Sequence, residues 1–300
     1  MIDEDIEFAL PGGPTLRGKF FKPENSLVSA SPLPVAILQS GLGGPAESLY
    51  PSARGFTDAG LACLLYDHRN TGYSDGEPRQ FFDPWQQCRD LRHVITHLTL
   101  RDDIDADRIG LWGISIGGAN SLFTAAMDQR VRAVVSVIPP VSGWSARGLQ
   151  PAGTLAELDE LIPADRQAQL RGEPAATISL HGTPEPGRPV MFSDQEGIEF
   201  VENMIHGLPS FRNEITVSTL DHLYEMEVRA YAERIAQPTL MVLAAQDTVA
   251  PVEEAREMYD RIPEPKDVME YPGQHYEILS HHFEEIISRT AQWLAKALDR

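Results

Sequence analysis

Short apolar runs bounded by Gly, Pro or charged residues recur through the first half of the chain and return near its end. Val35 to Leu38, Leu61 to Tyr66, Ile109 to Trp112, Ala133 to Ile138, Thr239 to Ala244 and Val268 to Tyr271 are the clearest, and they predict strands. Segments with helical spacing stand between them. Trp85, Cys88, Leu91, Ile95 and Leu98 fall on one face of a helix over Pro84 to Leu98, with Asp83 a natural N-cap and Pro84 at the first helical position. Further helices are expected near Tyr50 to Ala59, Gly118 to Met127, Val252 to Arg261 and Phe283 to Leu298. Ahead of all these, Ile6 to Leu10 and Leu16 to Phe21 flank Pro11-Gly12-Gly13-Pro14 and predict two strands joined by a turn, after which a polar loop containing Pro and Ser leads to Val35. Alternation of apolar strands with amphipathic helices implies an α/β fold whose mainly parallel sheet is covered on both faces. Ligands in such folds bind outside the carboxyl ends of the strands.

The alternation breaks down from Val141 to about Ala236. Short helical pieces, Leu155 to Ile162, Gln195 to His206 and Leu220 to Ala232, are separated there by turns rich in Pro and Gly. Because the strand and helix pattern then resumes, residues 1–140 and 237–300 read as one core. Residues 141–236 read as an insertion at its catalytic end, a lid or a wall of the substrate pocket, with a purely structural elaboration as the alternative.

The length of 300 residues suits one such domain with an insertion. Against 25 Lys and Arg stand 44 Asp and Glu, a formal charge of −19, so the surface lacks the basic footprint that nucleic acid or an anionic membrane needs. The acidic start, Met1-Ile2-Asp3-Glu4-Asp5, has neither the basic nor the apolar region of a signal peptide, and no apolar run approaches the length of a membrane span. Cys63, in a strand, and Cys88, on a helix, supply no framework of bridges and read as buried free thiols, which suits a reducing cytoplasm.

The candidate chemistry starts at Gly113-Ile114-Ser115-Ile116-Gly117, where the strand Ile109 to Trp112 runs into a helix of small residues. That context reads as a nucleophile elbow, a tight strand-to-helix turn that exposes the serine hydroxyl while the flanking glycines let neighbouring backbone approach. The same pattern recurs at Gly72-Tyr73-Ser74-Asp75-Gly76, but Ser74 leads into Glu77-Pro78-Arg79 rather than a helix and reads as a loop residue bonded to local backbone.

A serine hydroxyl needs a histidine as base, and that histidine needs a carboxylate to fix its tautomer and stabilise its cation. The strand Thr239 to Ala244 ends in Ala245-Gln246-Asp247, and Val268 to Tyr271 ends in Pro272-Gly273-Gln274-His275, so both groups fall in loops at the same sheet edge as Ser115. Of nine histidines, His275 alone follows a core strand directly; His281 and His282 open a helix, and His93 and His97 lie on a helix surface. Taken singly, Asp247 could cap the following helix and His275 could be an ordinary turn residue; their arrival in the order Ser, acid, His supports a triad. Ile116 N–H supplies one donor for an oxyanion, and Leu42 N–H, in the run Gln39-Ser40-Gly41-Leu42-Gly43-Gly44, the second. A glycine-rich loop could instead cradle phosphate, but neither Gly-x-Gly-x-x-Gly nor Gly-Lys-Ser/Thr is present there.

With these residues in place the chain resembles an α/β-hydrolase over nearly its whole length. The segment Asp67-His68-Arg69-Asn70-Thr71-Gly72-Tyr73-Ser74-Asp75-Gly76-Glu77-Pro78, followed by the helix and elbow, resembles the dienelactone-hydrolase-like branch that includes polyketide acyltransferases and thiohydrolases. Two departures stand out: Ser40-Gly41 occupies the place of the family's His-Gly, and Asn70 replaces a glycine, which Asn tolerates because it visits left-handed backbone more readily than most residues.

The resemblance implies an α/β-hydrolase fold with a mostly parallel central sheet, flanking helices and a helical lid. It also implies acyl chemistry that requires no metal or organic cofactor, and a serine rather than an aspartate at the elbow argues against alkyl-halide or epoxide substrates. The expected partner is a small-molecule acyl substrate cleaved as an ester or thioester. A serine acyltransferase, cyclase or amide-cleaving enzyme on the same machinery, or a non-catalytic binding protein, are the alternatives. Trp144, Met191, Phe192, Met204, His222, Tyr224 and Tyr276 are candidate pocket walls or, equally, core residues. An exposed lid or edge strand could support a homodimer.

Overall fold

The computed structural model describes residues 1–24, 31–150, 152–185 and 187–299; part of the polar loop expected before Val35 lies outside them. An eight-stranded sheet runs in the order β1-β2-β4-β3-β5-β6-β10-β11. Its strands are β1 (Ile2–Ala9), β2 (Thr15–Lys22), β3 (Leu33–Gln39), β4 (Ala62–Tyr66), β5 (Ile104–Ile114), β6 (Val131–Val137), β10 (Thr239–Ala244) and β11 (Lys266–Tyr271). The β1–β2 hairpin is antiparallel and β2 joins β4 antiparallel; from β4 onward all pairings are parallel.

Period-two alternation sends each central strand into two apolar clusters. Val35 and Ile37 of β3, with Ala62 and Leu64 of β4, pack on one face beneath α2 (Pro84–Leu98) and α3 (Ile116–Met127). Ala36, Leu38, Cys63 and Leu65 face the other, with α1 (Ala53–Asp58) and α10 (Phe283–Leu298). Asp83 caps α2 as expected, accepting from Gln86 N–H at 2.9 Å. Cys63 and Cys88 are buried and unbridged, and burial pushes both thiols up, Cys88 to about 12. Among the described residues no helix is long and apolar enough to cross a membrane.

Residues 141–236 differ in detail from the sequence expectation. The expected helix at Leu155 to Ile162 is the middle of a longer one, α5 (Ala152–Leu170), which contains Pro163. The one expected over Leu220 to Ala232 is two pieces, α7 (Ser218–Tyr224) and a 3-10 turn at Val228–Arg234. The region near Tyr50 likewise opens as a 3-10 turn, Ala46–Ser52, before α1. A small second sheet, ordered β8-β7-β9, went unpredicted. Its strands are β7 (Thr177–His181), β8 (Val190–Phe192) and β9 (Glu214–Thr216), and the last two, of three residues each, are too short for a periodic signal.

Helices α4 (Gly143–Gly148) and α6 (Gln195–Met204) complete this segment. Two sets of hydrogen bonds join it to the connections ahead of α1 and α2. Glu47 accepts from Ser210 through both N–H (2.9 Å) and Oγ (2.6 Å). Thr216 N–H donates to Gln80 O at 2.9 Å, Gln80 Nε2 donates to Arg212 O at 3.2 Å, and Phe82 N–H donates to Thr219 Oγ1 at 3.0 Å.

Candidate active site

Ser115 lies between the end of β5 and the start of α3 with φ 52° and ψ −123°, a left-handed backbone that side chains seldom adopt. Its N–H donates to Val137 O at 2.8 Å, which fixes the turn against β6. The flanking glycines are sterically required: a Cβ on Gly113 would sit 2.1 Å from Gly117 O, and one on Gly117 2.4 Å from Gln39 O. The missing side chain at Gly113 lets the start of α3 fold back on β5, and the one at Gly117 lets α3 pass close to the end of β3.

The carboxyl edge of the sheet brings the expected partners to this serine. His275 Nε2 lies 3.2 Å from Ser115 Oγ, and Nδ1 lies 2.7 Å from Asp247 Oδ2. Both partners are nearly inaccessible, His275 at 2% and Asp247 at 5%. Asp247 Oδ1 accepts from Ala250 N–H at 2.8 Å and Val249 N–H at 3.0 Å, so the loop after β10 holds the carboxylate still and supplies its charge with donors. His275 is not in an open loop. It begins α9 (His275–His281), where Gln274 and Glu277 form a reciprocal capping box, and His281 therefore closes α9 rather than opening a helix.

The loop after β3, which carries Ser40-Gly41, also reaches Ser115 and is pinned in turn. Ser40 Oγ donates to Gly44 O at 2.6 Å, closing the loop internally. Asp67 Oδ1 accepts from Ala46 N–H at 2.8 Å and Oδ2 from Tyr73 N–H at 2.9 Å, bridging this loop to the Asp67–Pro78 segment; burial pushes its carboxyl upward. Neither Leu42 N–H nor Ile116 N–H has a hydrogen-bond partner among the described residues, which leaves both free to donate. Asn70 adopts φ 69°, the left-handed backbone anticipated for it.

Two apolar chambers meet at Ser115. The first, about 130 Å³, is enclosed by Leu49, Leu180, Phe200, Phe211, Leu279 and Phe283. The second, about 310 Å³, opens more widely and is lined by Pro140, Leu149, Met191, Tyr224, Met226 and Ala250. Leu42, Phe192 and Val249 border both. At the end of β6, Ile138 takes φ 44° and donates its N–H to Val242 O at 2.7 Å, an outlier for a β-branched residue that turns the chain out of the sheet toward Pro140.

Of the pocket residues expected from sequence, Met191, Phe192, Tyr224, Met204 and Tyr276 line one chamber or the other. Trp144 and His222 do not, and both expectations are corrected. Gly143 packs against the backbone of Leu223, which presents the next residue outward, so Trp144 is 64% exposed with its ring under the Arg147 guanidinium at 5.1 Å. His222 instead faces the start of α2, with Nδ1 3.4 Å from Asp83 Oδ2 and its ring edge-on to Phe81 at 5.0 Å.

The Asp83 contact raises the His222 pKa against the opposing effect of burial. A raised folded pKa contributes stability that is complete below the ordinary histidine value and is lost as pH rises through the folded one. His222→Ala is therefore expected to lower the free energy of urea unfolding at about pH 5.5 by less than ~1 kcal/mol, given its partial exposure, with the loss vanishing near about pH 9. An equal loss at both pH values would show that His222 acts through packing alone.

The first chamber's other walls, Leu49, Phe200, Phe211, Leu279 and Phe283, carry no sequence signal that separates a chamber wall from a core position. His181, at the end of β7 and not among the residues expected from sequence, also lines that chamber. Burial holds His181 well below the usual histidine range, at about 4, against the opposing pull of Asp194. The second Gly-x-Ser-x-Gly behaves as a structural turn. Ser74 is 2% exposed, its Oγ donating to Asp67 O at 2.5 Å and accepting from Arg17 N–H at 2.8 Å.

A serine on a strand-to-helix elbow, hydrogen-bonded to a histidine that is in turn held by a buried carboxylate, on this sheet order, defines a serine-hydrolase scaffold. Residues 34–281 match the α/β hydrolase fold family, and the chain belongs to that family. It is 28% identical over 307 residues to thiohydrolase apmlB of Arthrinium phaeospermum, covering 98% of this chain and 97% of that one. It is 29% identical over 300 residues to polyketide transferase grgF of a Penicillium species, covering 97% and 96%. Among solved structures it is similar to DcsB in complex with its substrate analogue, with a TM-score of 0.85, 29% identity and all of both chains covered.

Proposed function

We propose that Ser115, His275 and Asp247 form a catalytic triad that cleaves a carboxylic ester or thioester of a small to medium apolar acyl group through an acyl-enzyme on Ser115. The observation that carries this reading is the continuous path from Ser115 Oγ to His275 Nε2 (3.2 Å) and from His275 Nδ1 to Asp247 Oδ2 (2.7 Å). Ser115 Oγ attacks the acyl carbonyl while its proton passes to His275 Nε2, and the tetrahedral oxyanion is held by Leu42 and Ile116 N–H. Collapse of that intermediate expels the alkoxide or thiolate, which takes the proton back from His275. Water, deprotonated by the same nitrogen, then attacks the acyl-enzyme and releases the acid. Asp247 keeps the imidazole in the tautomer that accepts at Nε2 and stabilises the imidazolium.

The first chamber's volume suits an acyl body on the order of six carbons, since an apolar cavity of about 150 Å³ accommodates benzene. The wider second chamber suits the leaving group, with residues 141–236 as the lid over both. Relatives named thiohydrolase and polyketide transferase favour a thioester substrate. Transfer of the acyl group to an alcohol is the second reading. It draws on the transferase names and on a second chamber, about 310 Å³, with room for an acceptor beside Ser115. Buried free thiols support a cytoplasmic location.

A fluorophosphonate is expected to add once per chain and, by peptide mapping, on Ser115. No adduct on the folded protein would overturn the reading. Thioester turnover in the presence of an added alcohol then separates water from alcohol as the acceptor, by the ratio of acid to ester formed.

A further inference from the structure

His181 stands out as a polar group without an assignment in an apolar chamber. It is 6% exposed, its Nδ1 is buried without a hydrogen-bond partner, and no partner exists for the other ring nitrogen among the described residues. The chamber's remaining small polar side chains are engaged: Ser40 donates to Gly44 O, Ser48 donates to Pro45 O at 2.7 Å, and Ser115 pairs with His275. A buried polar group left unpaired is disfavoured, and natural proteins keep one chiefly where a ligand, ion or water completes it.

The mount of this histidine is rigid. Its N–H donates to Asn213 Oδ1 at 2.9 Å, and Asn213 Nδ2 donates back to His181 O at 2.8 Å. Its ring is tilted against Phe192 at 5.1 Å and edge-on to Tyr276 at 5.7 Å. His275 contacts that same Tyr276 ring at 5.1 Å, so one tyrosine touches both histidines, and Ser115 is hydrogen-bonded to the second. A neutral imidazole offers one donor and one acceptor, and burial keeps His181 in that form at neutral pH.

We infer that His181 is a specificity-determining residue that hydrogen-bonds an oxygen carried by the acyl chain, a ketone or hydroxyl some carbons beyond the reacting carbonyl. This inference rests on the serine-hydrolase reading above and sharpens its substrate class, from an apolar acyl group to an apolar chain bearing one internal oxygen. A purely hydrocarbon chain desolvates His181 without giving it a partner, whereas an oxygenated chain of matching length supplies one. Discrimination of that kind is stronger than discrimination by chain volume alone.

The test compares two N-acetylcysteamine thioesters, hexanoyl and 5-oxohexanoyl, on the full-length protein, with kcat/KM for each and their ability to slow fluorophosphonate labelling of Ser115. Wild type is expected to favour the oxo chain by about tenfold or more. His181→Phe keeps an aromatic ring against Phe192 and Tyr276, and is expected to lose that preference, the ratio of the oxo to the plain chain falling toward one. His181→Gln, which restores a donor and an acceptor, should recover part of it. A wild-type ratio near one, or a ratio unchanged in His181→Phe, overturns the inference even though Ser115 labels normally. Absence of a Ser115 adduct on folded wild type overturns the serine reading, and the inference with it. Should His181→Phe fail to fold, the wild-type ratio and His181→Gln decide.

Discussion

Ser115→Ala is expected to lower kcat toward the best thioester by about a thousandfold or more while leaving the urea midpoint nearly unchanged. In the proposed mechanism the hydroxyl is the atom that bonds to the acyl carbon, and its one hydrogen bond among the described residues is with His275 at 3.2 Å, so the fold loses little when it goes. Ser74→Ala is expected to do the opposite. It leaves Arg17 N–H and Asp67 O without the hydroxyl that joins them in a buried loop, a loss of about 1–3 kcal/mol in stability with kcat per folded molecule retained. Two serines in the same five-residue pattern would thus be separated by which quantity each one moves. Comparable falls in kcat from both changes would sink the assignment of Ser115.

Gly117→Ala is the second large effect expected. The added methyl would stand 2.4 Å from Gln39 O and 2.5 Å from Ser40 O, which are backbone atoms at the end of β3 and cannot swing aside as a side chain could. Relief requires α3 to move away from the loop that carries Leu42, so the change should cost more than about 3 kcal/mol in urea unfolding. In whatever fraction folds, kcat should drop by more than about a hundredfold, because the two proposed oxyanion donors, Leu42 and Ile116 N–H, come from the parts being pushed apart. Gly148→Ala is the matched control: a methyl there meets nothing within 4 Å, and neither stability nor rate should change appreciably. A Gly117→Ala protein as stable and active as wild type would mean that the elbow tolerates a gap that the geometry does not provide.

The parts of this architecture that were legible in the sequence are those whose signal is local and repeated. Val35 to Leu38 and Thr239 to Ala244 announce themselves as buried strands by composition, and a residue just past the end of such a strand is placed at the sheet edge by topology alone. Ser115, Asp247 and His275 were reachable in that way, since each follows a strand whose neighbours are parallel. In residues 141–236 no such rule applies. Val190–Phe192 and Glu214–Thr216 are three-residue strands that pair with β7 only because the segment folds back on itself, a long-range event with no local signature. Trp144 and Tyr224 look alike as aromatic residues of one segment, yet the backbone contact at Gly143 turns one outward while the other lines a chamber. His181 could have been suspected from one cue, a histidine closing the strand Ile178-Ser179-Leu180-His181, where Ile178 and Leu180 face the core.

The bonds that join Gln80 to Arg212 and Thr216, and Glu47 to Ser210, bear on how the chain comes apart. A three-stranded sheet of such short strands has too little area of its own to be stable in water, so its persistence depends on the core surface beneath it. Conversely, Gln80 and Phe82 lie just ahead of α2, and Glu47 lies between β3 and β4, so losing the outer segment removes hydrogen bonds from connections that order the central strands. Residues 141–236 are thus anchored to the core through Ser210, Arg212, Thr216 and Thr219, whereas α4, α5 and α6 carry none of these attachments, so the opening that admits substrate is expected to draw on those three helices.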